Sequence, residues 1–303
     1  MNRDGLRLPD FIAVGPPRTG TTWLDRVLRG HAGLPAGVKE TQFFTWRYHL
    51  GLGWYAAHFR DCPPDARLGE LGPWYFTSAE ARARMAHDLP QCKILITLRD
   101  PVERLYSHYK IWRQMGATKA SFERVASHHK EFLSFNDYAH HIREWRRQFG
   151  DENVLVAIYE DSHSDQQGYI DAICSFVGLP KIDLATIPWQ RERVQVISHM
   201  PKNHRLARRA RAVKGFLHRR RLYGLAQFLN PAYNFCSGRG EQWPPLDAVT
   251  RARLRDQFRP QIEDLEALLQ RDLSMWKSES STMRPHSEDE SGSHGVAGSA
   301  KAG

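Results

Sequence analysis

The sequence predicts a single α/β domain: a parallel sheet flanked by helices on both faces. Three observations carry that prediction. Residues 11–14 (FIAV), 94–98 (ILITL) and 154–158 (VLVAI) are short apolar runs of the kind that form interior parallel strands. Each is bounded by turn or polar residues and followed by a helical pattern, the alternation expected of a doubly wound sheet. With 303 residues, 41% hydrophobic and 25% charged, the chain is long and apolar enough for a sizeable core.

The elements follow in order. After the first strand, residues 22–28 place Leu24, Val27 and Leu28 on one helical face before Gly30 ends the helix. Pro101 opens a helix directly after the second strand, where its missing N–H does no harm. Residues 137–149 form a further helix that stops at Gly150. Residues 247–273 read as two terminal helices broken near Pro260. Beyond Trp276 the chain turns to Ser, Gly, Glu and His with no aromatic residue, so 1–276 is expected to be the domain and 277–303 a disordered polar tail.

Net charge is +9 and the isoelectric point about 9.5, which favours anionic partners. The most basic stretch runs from Arg205 to Arg221, with Leu206, Ala210, Val213 and Leu217 at helical spacing. It offers a landing surface for an anionic acceptor or for lipid headgroups; a solvated helix face is the commoner reading of such a stretch. Four cysteines without a C-x-x-C pair exclude a dense disulfide framework and fit a reducing cytosol. The apolar run near the N-terminus is too short for a signal peptide or a membrane span. A cytoplasmic protein, peripheral at the inner membrane surface where it touches one, is expected.

The chemistry starts at VGPPRTGTTW, residues 14–23. Gly15 and Gly20 have the spacing of a phosphate-binding P-loop, but Thr21 stands where its lysine belongs and the nearest cation, Arg18, lies inside the loop. Backbone N–H groups at a helix start bind a phosphate-like dianion without that lysine. Thr19, Thr21 and Thr22 add hydroxyls, and Arg18 is a planar fork matched to a tetrahedral oxyanion. The second stretch is LITLRDPVERLYSHYK, residues 95–110. Arg99 leaves the end of a strand and Ser107 follows eight residues on, so both suit a second phosphate at the carboxyl edge of the sheet. An Arg99–Asp100 ion pair is the plainer reading of the same residues.

Together PPRTGTTW and R-D-P-x-E-R-x-x-S-x-Y resemble the two cofactor motifs of sulfotransferases that use 3′-phosphoadenosine 5′-phosphosulfate (PAPS). VKETQFFTWRYHLGLGWYAAHF (38–59) and GELGPWYFTS (69–78) resemble the heparan-sulfate branch and its bacterial relatives. The resemblance covers about residues 11–276 and implies a P-loop-like fold with no metal requirement. It implies that Thr19, Gly20, Thr21 and Thr22 hold the 5′-phosphate, and Arg99 with Ser107 the 3′-phosphate. Arg18 takes the position of a basic residue, often lysine, that steadies charge on the oxygen bridging to the departing nucleotide. CSGRGEQ (236–242) stands where a late basic loop closes over the cofactor, with Arg239 and Gly240 as its contacts. Leu71 departs from the pattern, since glucosaminyl relatives often carry lysine there.

By the same resemblance Glu40, in KETQFF, is the catalytic base. Lys39, next door, is a candidate for the charge of the transferred sulfonate, and an exposed Lys39/Glu40 pair on a loop is the plainer reading of the two. An ordinary glutamate, with a pKa of about 4.3, is a weak base for a sugar hydroxyl, so Glu40 should be partly buried. Trp46, Tyr48, Trp54 and Tyr55, with His49 and His58, either line an acceptor cleft or belong to the core. The expected reaction is in-line transfer from PAPS to a hydroxyl or amine of a carbohydrate, glycolipid or small-molecule acceptor, leaving 3′-phosphoadenosine 5′-phosphate (PAP). No nucleic-acid partner is expected. Two other readings stay open: a P-loop kinase, with Asp100 at the metal, and a non-catalytic basic module binding nucleic acid or membrane through 205–221.

Overall fold

In the computed structural model, residues 5–187, 199–201, 209, 213, 216, 217, 225 and 239–278 are described. Four strands, β1 (Phe11–Ala13), β2 (Gly69–Leu71), β3 (Lys93–Leu98) and β4 (Val154–Ile158), form a parallel sheet in the order β2-β1-β3-β4. Because side chains alternate along a strand, the sheet separates two apolar layers. Ile12, Val14, Ile94, Ile96, Leu98 and Ile158 point one way. They pack on α3 (Ala79–Asp88), α4 (Pro101–Gln114), α7 (Tyr138–Phe149) and α10 (Ala248–Leu269) through Met85, Leu105, Trp145 and Leu254. Phe11, Ala13 and Leu95 point the other way, onto α1 (Thr21–Leu28) and α9 (Gln166–Val177) through Leu24, Val27, Leu28, Ile170 and Ile173.

Shorter helices fill the connections: α2 (Gly51–Ala56), α5 (Phe122–His128), α6 (Lys130–Ser134) and α8 (Asp161–Ser164). A two-stranded antiparallel pair, β5 (His199–Pro201) and β6 (Arg239–Gln242), packs on α4 through β5. Among the described residues no helix is long and apolar enough to cross a membrane.

Three expectations change. β2 is a strand although its sequence, GEL, has no apolar run; it lies parallel to β1 with Glu70 opposite Ile12. The terminal helix is continuous across Pro260. Leu254, Phe258, Ile262 and Leu265 are buried on both sides of the proline, which is itself exposed. One apolar face therefore spans the break, and solvent can serve the carbonyl that lacks its N–H partner. Finally, Lys277 donates to Glu266 Oε2 at 2.6 Å, so ordered packing reaches past residue 276. Residues 279–303, the rest of the expected tail, lie outside the described residues.

Candidate active site

The first loop is shaped by close approach to the sheet. Val14 N–H donates to the Leu95 carbonyl on β3, and a Cβ on Gly15 would lie 2.4 Å from the Thr97 carbonyl oxygen. Only glycine passes there. Arg18 and Gly20 both have left-handed backbones, at φ 79° and 84°, and a Cβ on Gly20 would strike the Tyr159 ring at 2.5 Å. For arginine that conformation costs on the order of 1 kcal/mol, which the packed loop must hold. The fully buried Thr19 hydroxyl hydrogen-bonds the Pro16 carbonyl and the Thr97 hydroxyl, at 2.8 and 2.7 Å. It is therefore a strut and not, as expected, a hydroxyl facing an anion. The helix-start amides, with no intrahelical acceptor, remain the donors of this loop.

The cation absent from position 21 arrives from elsewhere. Lys39 Nζ donates to the Thr21 and Thr22 hydroxyls at 3.1 and 3.2 Å and lies 3.4 Å from Glu40 Oε1. On the other side of the loop, Arg18 Nε donates to Ser107 Oγ at 2.9 Å. The Arg99 guanidinium lies 5.3 Å over the Tyr159 ring, and its Nε is buried with no hydrogen-bond partner among the described residues. Burial and the nearby Arg99 charge lower the Arg18 pKa; burial, Arg99 and Arg18 lower that of Lys110. None of these three cations forms an ion pair with a carboxylate among the described residues. Mutually repelling cations around one serine make a site for an anion.

Asp100 does not pair with Arg99. Its Oδ1 caps α4, accepting from the Val102 and Glu103 amides at 2.8 and 3.2 Å. Burial lifts its pKa to about 6, and its own N–H donates to Glu160, whose pKa burial lifts to about 7. Only Oδ1 is engaged in the cap; Oδ2 is buried with no hydrogen-bond partner among the described residues.

The segment carrying Glu40 is hung from below. Thr41 donates to Glu70 Oε1 with its N–H (2.8 Å) and its hydroxyl (2.6 Å). The Tyr55 and Tyr75 hydroxyls donate to the same carboxylate at 2.6 and 3.2 Å. Glu70 is completely buried. Above this anchor, Gln42, left-handed at φ 56°, donates through Nε2 to Glu40 Oε2 at 2.7 Å. The Glu40 side chain is 26% exposed. Burial pushes its carboxyl above the ordinary range, partly offset by Lys39 and Gln42, which is the direction a general base needs.

The aromatic cluster divides. Tyr55 and His58 are fully buried and belong to the core, because Tyr55 stacks on Phe43 and serves Glu70. Trp54 is half-buried and stacks on Phe43; Tyr48 is half-buried with Arg84 over its ring. His49 is exposed on the turn before α2. Trp46 is 61% exposed, with its ring 5.9 Å from that of Trp74. Trp74 in turn stands 5.7 Å from His108, the neighbour of Ser107.

Arg239 and Gly240 begin β6, whose partner strand packs on the helix that carries Ser107. Of the basic segment 205–221, only residues 209, 213, 216 and 217 are described; the surface expected there otherwise lies outside the described residues. Leu217 is buried, whereas Val213 is half-exposed. The sequence reading missed Glu70, Gln42, Tyr159, Trp74 and Lys110. Lys110 carried a signal, one helical turn after Ser107 on α4; the others are brought in by long-range packing.

Residues 8–204 match the family described as the sulfotransferase domain. Human bifunctional heparan sulfate N-deacetylase/N-sulfotransferase 3 is 30% identical over 290 residues, covering 87% of this chain and 30% of that protein. Mouse heparan sulfate glucosamine 3-O-sulfotransferase 3A1 is 30% identical over 195 residues, 60% of this chain and 49% of that protein. The chain thus spans only 30% and 49% of the length of these two relatives. The crystal structure of a sulfotransferase from Alicyclobacillus acidocaldarius shares the fold, with a TM-score of 0.64 at 21% identity over 90% of this chain and 100% of that one.

Proposed function

The chain belongs to the sulfotransferase family, and from that premise we propose that it transfers a sulfuryl group from PAPS to a hydroxyl or amine of a carbohydrate acceptor, with Glu40 as base. One observation carries the reading: partly desolvated cations with no carboxylate partner among the described residues, and a P-loop-like turn, accompany a carboxylate whose pKa burial has raised. The residues fit PAPS. Two anionic groups need cations without carboxylate partners, and Arg99 holds a buried N–H with none. Arg99, Ser107 and Lys110 would hold the 3′-phosphate. The α1 amides with Thr21 and Thr22 would hold the 5′-phosphate, and Arg239 and Gly240 the outer side. Bound there, PAPS supplies an activated sulfuryl group.

The chain's own residues do the rest. Glu40 takes the proton from the acceptor as the new bond forms. Lys39, between Glu40 and the threonines, offsets the charge on the sulfuryl oxygens. Arg18 steadies negative charge on the bridging oxygen; its proton is held too tightly to be given up. Heparan-sulfate relatives support a carbohydrate acceptor. A cytoplasmic, membrane-peripheral location is part of the proposal, and its basic segment lies largely outside the described residues. The test is transfer of labelled sulfuryl from PAPS to heparan-type oligosaccharides in EDTA. Transfer is expected; turnover of Mg²⁺-ATP with none of PAPS would overturn the reading in favour of a kinase.

A further inference from the structure

The Trp46–Trp74 pair has no task in the machinery above. Trp46 is the most exposed of the described Trp, Tyr and Phe rings, and it meets Trp74 at 5.9 Å and 45°. An exposed tryptophan packed on a second one offers the broad apolar face that binding hot spots use. Each partner is also wired to a different half of the site. Trp46 N–H donates to the Gln42 carbonyl at 3.0 Å, and Gln42 holds Glu40. Trp74 follows Gly72, whose N–H donates to the Ala13 carbonyl at the end of β1 (2.8 Å), and it stands against His108 beside Ser107. Through these contacts the ring pair links the segment bearing the base to the helix bearing Ser107.

We propose that Trp46 and Trp74 form an open platform that receives one sugar ring of the acceptor and presents its hydroxyl or amine to Glu40. This rests on the sulfotransferase reading and adds its acceptor subsite. Two features favour a saccharide over a small phenol. The rings are tilted, so they leave no parallel slot for a flat aromatic molecule. The outer face is open to solvent, whereas a small acceptor needs a pocket that encloses most of its surface. An open platform suits one unit of a longer chain, held by additional units on either side. Two cations are already engaged on carbonyls of the segment bearing Trp46: Arg84 donates to the Phe44 and Thr45 carbonyls, and Arg47 to the Thr41 carbonyl. Recognition here is then by the apolar face of the ring.

The experiment compares full-length wild type, Trp46→Ala, Trp46→Phe and Trp74→Ala. PAP binding is followed by calorimetry, and KM is measured for a heparan-type octasaccharide and for 4-nitrophenol. Each alanine variant is expected to raise the octasaccharide KM about fivefold, while Trp46→Phe stays near wild type. PAP affinity and kcat at saturating octasaccharide should stay within about twofold. An unchanged octasaccharide KM in both alanine variants overturns the platform, as does equal loss with 4-nitrophenol. A wild-type protein that binds no PAP overturns the sulfotransferase reading itself, and the platform falls with it.

Discussion

The two halves of the site are built on opposite plans. The cofactor half, residues 15–22 with Arg99 and Ser107, is pressed against the sheet. Gly15 touches β3, the Thr19 hydroxyl is locked to Thr97, and Gly20 abuts Tyr159. The base half, residues 39–47, lacks such backbone contacts with the sheet; it is anchored by the fully buried Phe43 and Phe44 and, through Thr41, by one buried carboxylate, Glu70. Backbone geometry shapes the first half, and a side-chain network shapes the second. Affinity for the nucleotide and competence in transfer should therefore be separable by mutation.

The sharpest break is Glu40→Gln. It keeps the Gln42 contact and removes the base, so turnover should fall about 10²–10⁴-fold with PAP affinity unchanged, read by initial rates and calorimetry. Undiminished turnover removes Glu40 as the base. In the other half, Arg99→Ala should weaken PAP binding roughly 30- to 100-fold and leave adenosine 5′-phosphate binding within about twofold. Equal losses for the two nucleotides contradict the 3′-phosphate assignment.

Glu70→Ala probes the suspension of the base half. It strands the Thr41 amide and two tyrosine hydroxyls, at a cost of roughly 3 kcal/mol, so thermal unfolding should drop by about 6–10 °C. In protein still folded at 20 °C, kcat should fall further than PAP affinity; a parallel fall in both argues against separate halves.

The smallest effect is one of pH. Asp100 and Glu160, behind Arg99, titrate at about 6 and 7 in the folded state, above ordinary carboxyls. A group whose folded pKa is raised stabilises fully below its unfolded pKa and loses that stabilisation as pH rises through the folded value. Stability should therefore decline between about pH 4 and 7. Glu160→Gln should flatten that decline, raising stability at pH 8 by about 1 kcal/mol, measured by urea unfolding. An unaltered pH profile contradicts the buried carboxyl at position 160.

The same contrast explains what was legible in the sequence. The loop at 15–22 and the Arg99–Ser107 helix are local: a strand, a turn and a helix in succession, with ligand groups at fixed offsets. Glu40 and Lys39 were visible through resemblance to a family. Their partners were not. Glu70 sits in a three-residue strand with no apolar run, and its role depends on Thr41, Tyr55 and Tyr75 meeting in space. Aromatic spacing between 46 and 58 did not say which rings face the core. Tyr55 and His58 do, while Trp46 does not. Pro260 misled because a local breaker was overridden by one continuous apolar face.

The most direct measurement is calorimetric titration of the wild-type protein with PAP and, separately, with adenosine 5′-phosphate. Three cations without a carboxylate partner among the described residues predict a single PAP site, with affinity about 30- to 100-fold above that of the nucleotide lacking the 3′-phosphate. No binding of PAP, or equal affinity for the two, would contradict the account.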